Sequence, residues 1–88
     1  MAEIFGLLGD PTRLLLLVEL ADKGELCVGD LAERIDVGAT AVSHALRLLK
    51  AHDIVRPRRD GTRIYYALVD EHVRVLVEAA AAHVRRPH

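Results

Sequence analysis

The feature that most constrains this chain is a periodic stretch at residues 36–51, DVGATAVSHALRLLKA. A turn containing glycine opens it, and apolar side chains then recur at the spacing of an α-helix. These are Val42, Ala45, Leu46 and Leu49. The opposite side carries short polar or cationic side chains at the same spacing, namely Thr40, Ser43, His44 and Arg47. Such a face suits a DNA major groove, which admits one helix, although an ordinary solvated face has a similar composition.

The residues before this helix complete a helix-turn-helix pattern. Asp10-Pro11 predicts the start of an apolar helix that runs to about residue 21. A short apolar bridge at residues 25–28 follows, and Asp30 with Glu33 predicts a capping box at the start of the next helix. Two helices joined by a tight glycine turn form the arrangement in which the second helix reads DNA. Similar helix pairs also occur in proteins that never bind DNA.

After residue 51 the pattern becomes extended, which predicts a β-hairpin at residues 54–69. Residues 63–69 alternate as a half-buried strand, and Asp60-Gly61 indicates a tight turn. Pro57 has no amide hydrogen to donate, so the first strand is expected at a sheet edge. A hairpin after a helix-turn-helix is a winged helix. The arginines near its tip, Arg58, Arg59 and Arg63, could reach phosphates or the minor groove, or could only protect the edge.

Composition narrows the functional class. The net charge is −1, but residues 37–69 hold an excess of cations: Arg47, Lys50, Arg56, Arg58, Arg59 and Arg63 against Asp53 and Asp60. This imbalance indicates one face that meets phosphate. The single cysteine fits a reducing cytoplasm, and we expect neither a membrane span nor a secretion signal. We expect no enzyme, because Ser43 and His44 are adjacent and point about 100° apart on a helix.

Residues 70–86 form the last predicted helix, capped by Asp70. Its predicted apolar stripe consists of Val73, Leu76, Val77, Ala80, Ala81 and Val84. The small side chains permit close approach by a second helix, so we predict a homodimer through this stripe. The alternative is that the stripe packs on the chain's own core.

Two histidines of this helix suggest a metal site shared by two chains. His72 and His83 are eleven residues apart, which places them on one face but about 16.5 Å apart along the axis. One metal ion with bonds of about 2 Å cannot bridge that distance. Antiparallel pairing would bring His72 of one chain near His83 of the other, with Asp70 as an oxygen ligand and His88 as a candidate fourth ligand. The alternative is two solvated side chains.

From about residue 5 to residue 88 the chain resembles the ArsR/SmtB family of winged helix-turn-helix metal-sensing regulators. The motifs that carry the resemblance are GDPTRLLLL at 9–17, ELCVGDLAERI at 25–35, TAVSHALRLLKAHDIV at 40–55 and RRDGTRIYYAL at 58–68. The length of 88 residues predicts a single domain over residues 1–88, and the order of its elements predicts a mostly α fold with a small β-hairpin. The resemblance implies a homodimer on double-stranded operator DNA of inverted symmetry, typically a repressor whose DNA binding is weakened by metal.

Sensing sites within this family differ, so each is compared with the residues present. One type uses Cys-x-Cys, but here Cys27 is followed by Gly29 at the second position. We therefore expect no thiolate site for arsenic, cadmium or lead, and Cys27 is expected to be a buried apolar residue.

The other type of family site lies on the last helix. Its pattern is Asp-x-His, a histidine eleven residues later, and a histidine or glutamate three further on. Asp70, His72 and His83 match, whereas the fourth position is Arg86, which cannot ligate. His88 could substitute, as tail histidines do in the nickel- and cobalt-sensing branch. We therefore predict a divalent transition metal, nickel or cobalt before zinc.

Together these patterns predict a metal-responsive transcriptional regulator. Ser43, His44 and Arg47 are expected to contact bases, while Thr40, Lys50 and the wing arginines hold phosphates. One alternative is a DNA-binding regulator that has lost metal sensing and is controlled by a protein partner, which Arg86 favours. Another is a winged helix used only for protein contact.

Overall fold

The computed structural model describes residue 6 and residues 9–85. Predictions for Arg86 and His88 lie outside the described residues. In chain order the elements are α1 (Pro11–Lys23), β1 (Leu26–Cys27), α2 (Val28–Ile35), α3 (Ala39–Ala51), β2 (Val55–Asp60), β3 (Arg63–Leu68) and α4 (Glu71–Arg85). The predicted fold class, mostly α with a small hairpin in a winged helix-turn-helix order, is confirmed.

Helix α1 begins where the sequence indicated. The Asp10 carboxylate accepts a hydrogen bond from the Arg13 amide at 3.1 Å, and Pro11 occupies the first helical turn. The helix ends at Gly24, whose φ of 90° favours glycine and whose amide donates to the Leu20 carbonyl at 2.8 Å. α1 supplies four buried side chains, Leu16, Leu17, Leu20 and Ala21.

Helix α2 begins two residues before the predicted cap, so the capping box of Asp30 and Glu33 is wrong. Cys27 is the N-cap residue, and Asp30 lies in the first turn. There the Asp30 carboxylate accepts a hydrogen bond from the Cys27 thiol at 3.2 Å. Cys27 is half-buried, and its thiol makes a polar contact. The expectation that Cys27 is a buried apolar residue is therefore wrong. The helix stops at Asp36 in the left-handed region, and the turn leads into α3 as predicted.

The sheet contains a strand that the sequence reasoning missed. Residues 26 and 27, which we interpreted as an apolar bridge, form β1 and pair antiparallel with β3. The strand order is β1-β3-β2, so β2 is an edge strand, as Pro57 predicted. Gly61 turns the hairpin with a φ of 65°. The strict alternation predicted for β3 is wrong, because Ile64 near the tip is 38% exposed while the four residues after it are half-buried.

The core lies between α1, α2, α3, the base of the hairpin and α4. Its fully buried side chains include Leu16, Leu17, Leu31, Val42, Leu46, Leu49, Ile54 and Val77. Val73, Val77 and Ala81 of α4 are buried within the chain itself, and half-buried Ala80 packs against the same core, so most of the predicted dimerisation stripe packs on the chain's own core. Val84 lies outside the residues whose side chains are described. Along residues 9–85, no helix combines the length and the apolarity that crossing a bilayer requires.

Candidate DNA interface and metal-binding face

Helix α3 presents the predicted recognition residues on its solvent side. Val42, Leu46 and Leu49 are buried and anchor the helix to the core. On the opposite side Thr40, His44 and Arg47 are exposed, while Ser43, half-buried, and Lys50, exposed, lie on one flank. The structure therefore brings these five side chains to one accessible surface. This surface can donate hydrogen bonds and positive charge to a polyanion.

A shallow groove beside this surface shows two further residues that the sequence reasoning did not select. Its lining comprises Asp10, Thr12, Arg13, Ala41, His44, Ala45 and Leu48. The start of α1 thus lies next to the recognition helix. The Arg13 guanidinium is 4.0 Å from the Asp10 carboxylate. Thr12 and Arg13 belong to the GDPTR motif, but only the tertiary packing of α1 on α3 places them beside the exposed face of α3.

The register of the hairpin separates the wing arginines onto two faces. Paired residues of an antiparallel ladder share a face, and successive residues alternate. Arg59 pairs with Ile64 and lies on the face of buried Val55, the side that contacts α3. Arg58 pairs with Tyr65 and therefore lies on the outer face. Residues that the sequence grouped as one wing tip are thus divided between two surfaces.

Arg63 belongs to the outer face with Arg58. It pairs with Asp60 at the hairpin end and is exposed. A side-chain hydrogen bond with Tyr65 raises the pKa of Arg63, so this guanidinium is charged at neutral pH.

Arg58 has partners within the chain. Its Nε and Nη2 atoms donate to Oε2 and Oε1 of Glu25, both at 2.9 Å, and its guanidinium carbon lies 5.2 Å from the centroid of the Tyr65 ring. The hydrogen-bonded pairing raises the pKa of Arg58 and lowers the pKa of Glu25. Sequence reasoning treated Arg58 as a phosphate contact and did not consider Glu25. The contact of Arg58 with DNA stays a prediction. In this structure the Arg58 guanidinium is hydrogen-bonded to the Glu25 carboxylate.

On α4 both predicted metal-binding histidines face outward. His72, Leu76, Ala79 and His83 follow one another at intervals of four, three and four residues, so they form one stripe along the helix. His72, Ala79 and His83 are exposed, whereas Leu76 is half-buried. This stripe, which we call the histidine stripe, lies beside the row formed by Val73, Val77 and Ala81 that packs on the core.

Asp70 is at the start of the same helix. Its Oδ1 accepts a hydrogen bond from the Val73 amide at 3.0 Å, which confirms Asp70 as the cap. Oδ2 is the oxygen that could bind a cation. Within one chain, and over residues 6 and 9–85, no three His, Cys, Asp or Glu side chains are close enough together to hold a metal ion. The donor set of imidazole nitrogen and carboxylate oxygen nevertheless fits a borderline divalent metal.

The chain is similar in sequence to known regulatory proteins. Residues 10–56 match the family described as "Bacterial regulatory protein, arsR family". A "Transcriptional repressor SmtB homolog" of Synechocystis sp. is 47% identical over 97% of this chain, which spans 64% of that relative's length. A "Cadmium resistance transcriptional regulatory protein CadC homolog" of Staphylococcus aureus is 45% identical over 97% of this chain and 70% of the relative.

The chain is similar to a solved structure in fold as well as in sequence. The crystal structure of "the AntR antimony-specific transcriptional repressor" has a TM-score of 0.84 and 37% identity, and the match covers 94% of this chain and 75% of that one. The likeness extends over α1 to α4 and is not confined to the helix-turn-helix.

Proposed function

Because the chain belongs to the ArsR family of bacterial regulatory proteins, we propose that it is a metal-responsive transcriptional repressor that binds operator DNA as a homodimer in the cytoplasm. It is a regulator and not an enzyme. The observation that carries the proposal is the division of the molecule into two exposed surfaces. One comprises the polar face of α3 with the wing, and the other is the histidine stripe of α4 with Asp70.

On DNA, α3 enters the major groove with Arg47 at the centre of its exposed face. Arg47 can form a bidentate contact with guanine, and Ser43 and His44 offer further hydrogen bonds to base edges. Thr40, Lys50 and the exposed wing arginines Arg59 and Arg63 are the candidate phosphate contacts. In a dimer the two α3 helices enter successive major grooves about 34–36 Å apart, so we expect a preference for inverted repeats.

The proposed metal site lies between two copies of α4. Antiparallel pairing of the histidine stripes places His72 of one chain near His83 of the other, and Ala79 between them allows close approach of the helices. The Asp70 Oδ2 atom supplies an oxygen ligand, and the tail residue His88 is the candidate fourth ligand. These residues would hold a divalent ion that links the two helices.

The chemistry of these ligands favours nickel or cobalt, with zinc as the alternative. Cadmium and antimony, which appear in the names of two similar proteins, prefer thiolate ligands. The one cysteine of this chain, Cys27, is on β1 and not on α4. The proposed specificity therefore differs from that of those two proteins.

Connections in the fold support coupling between the metal site and the DNA surface. Asp70 follows the end of β3 by only two residues, and the Val69 amide donates to the Ile54 carbonyl at 3.1 Å. A displacement of α4 in the dimer would therefore act on the base of the wing and on the segment that follows α3. A coupling free energy of about 1–3 kcal/mol suffices for a useful switch.

The test is calorimetric titration with Ni²⁺, Co²⁺ and Zn²⁺ of the wild type and of the double variant His72→Gln/His83→Gln. We expect tight binding of about one ion per chain in the wild type, lost in the double variant and retained in the control His52→Gln. Operator affinity measured with and without the bound metal then tests the switch. Metal binding that survives in the double variant would place the site elsewhere.

Arg86 favours a second candidate function, because a permanent cation occupies the fourth ligand position of the family site. In that case the chain is a DNA-binding regulator controlled by a protein partner. Normal operator binding combined with weak metal binding in the titration above would support this alternative.

A further inference from the structure

The pair formed by Glu25 and Arg58 joins two parts of the chain across the full width of the sheet. Glu25 directly precedes β1, while Arg58 is in the middle of β2, and β3 lies between the two strands. Cys27 of β1, Tyr65 of β3 and Arg58 of β2 occupy one rung of the ladder. The Arg58 side chain therefore crosses the Tyr65 ring to reach Glu25.

The geometry of this pair holds the wing in one orientation. Both hydrogen bonds are 2.9 Å, and the planar guanidinium matches the two carboxylate oxygens. The Tyr65 ring below it adds a cation–π contact that fixes the plane of the group. Because β2 is an edge strand with a single neighbour, the pair is a second attachment between the wing and the segment that leads into α2.

We propose that Glu25 and Arg58 form a clasp that fixes the wing against the helix-turn-helix, so that Arg58 positions Arg59 for the DNA backbone and does not itself contact phosphate. This inference rests on the proposed DNA binding. Arg59 follows Arg58 directly and lies on the opposite face, toward α3. The orientation of the strand at Arg58 therefore decides where the Arg59 side chain points relative to the recognition helix.

Substitution by lysine separates a clasp from a phosphate contact. Lysine keeps the charge that a phosphate needs but cannot form the two-pronged contact with a carboxylate. We expect Arg58→Lys, Arg58→Gln and Glu25→Gln each to weaken operator binding by a similar factor. The expected loss of affinity is about two- to fivefold for each Glu25–Arg58 pair that is removed. The double variant Glu25→Gln/Arg58→Gln should be no weaker than either single one. Arg34→Lys is the matched control, because it weakens a similar exposed arginine–carboxylate pair, with Glu19 between α1 and α2, and it should bind as well as the wild type.

The salt dependence of binding gives a second readout, because a direct phosphate contact and a positioning role change it in different variants. The probe is a DNA duplex that the wild-type protein selects from a random-sequence library. Arg59→Gln should flatten the slope of log K against log salt by about 0.9 for each copy that contacts phosphate. Arg58→Gln and Glu25→Gln act only through Arg59, so they should change the slope equally and by no more than Arg59→Gln does. A flattened slope in Arg58→Gln together with normal binding by Arg58→Lys would overturn the proposal.

The clasp can also be tested without DNA. NMR order parameters of the amides of residues 58–65 should fall in Glu25→Gln and Arg58→Lys, and stay as in the wild type in Asp60→Asn, which removes a neighbouring wing carboxylate. Wing amides as ordered in Glu25→Gln as in the wild type would refute the clasp. Failure of the wild-type protein to select any duplex would refute the proposed DNA binding instead, so the two failures are distinguishable.

Discussion

Helices α3 and α4 are amphipathic helices of similar length, yet sequence reasoning succeeded on one and partly failed on the other. In α3 a single apolar face, with Val42, Leu46 and Leu49, stands opposite polar side chains, and the structure buries that face. In α4 apolar residues cover more than half of the circumference. The structure buries the row of Val73, Val77 and Ala81 and leaves the neighbouring side with Leu76 partly exposed. Periodicity therefore identifies a buried face only where the opposite face is clearly polar.

Adjacent residues of α3 offer the sharpest test of this contrast. Leu46→Ala should lower the free energy of unfolding by about 2–5 kcal/mol, because it leaves a cavity in the core. Arg47→Ala should leave that free energy nearly unchanged and weaken operator binding by about 1–3 kcal/mol per half-site. Urea denaturation and fluorescence anisotropy measure the two quantities. Operator affinity unchanged in Arg47→Ala would remove this residue from the interface.

Adjacent residues of α4 should divide in a different way. Val77→Ala should lower the free energy of unfolding by about 1–3 kcal/mol, since Val77 is 1% exposed in the core. Leu76→Glu should leave the helix content unchanged but shift the protein from dimer to monomer, because it puts a charge on the histidine stripe. Sedimentation velocity at several protein concentrations measures the shift. A dimer that tolerates Leu76→Glu would show that another surface forms the interface.

The smallest expected effect concerns pH and the outer face of the wing. The hydrogen bond from Arg58 lowers the pKa of Glu25 below its ordinary value of 4.5. A lowered folded-state pKa contributes stability above the ordinary value, and this contribution is lost as the pH falls through the lowered one. Glu25→Gln should therefore lose less stability than the wild type on acidification below about pH 4.5. Identical pH profiles by thermal unfolding would show that the clasp does not contribute to stability.

The residues that sequence reasoning misplaced share one property, which is a dependence on distant partners. β1 is two residues long, too short for any periodicity, and it exists because β3 has a second edge to pair with. Glu25 is 33 residues from Arg58, so no local pattern links the two. The cap of α2 was misplaced for a related reason, because pairing of Cys27 with Tyr65 brings the start of the helix forward.

By itself the sequence determined the boundaries of α1 and α3, the hairpin turn at Gly61, the edge position of β2 and the cap of α4 at Asp70. Each of these depends on residues within one or two turns, through amide partners, a positive φ or a missing donor. Only the tertiary structure decided which side of α4 enters the core, which face of the wing carries each arginine, and that Thr12 lies beside the recognition helix. These depend on the surfaces that distant segments present to one another, and burial selects among faces that are locally equivalent.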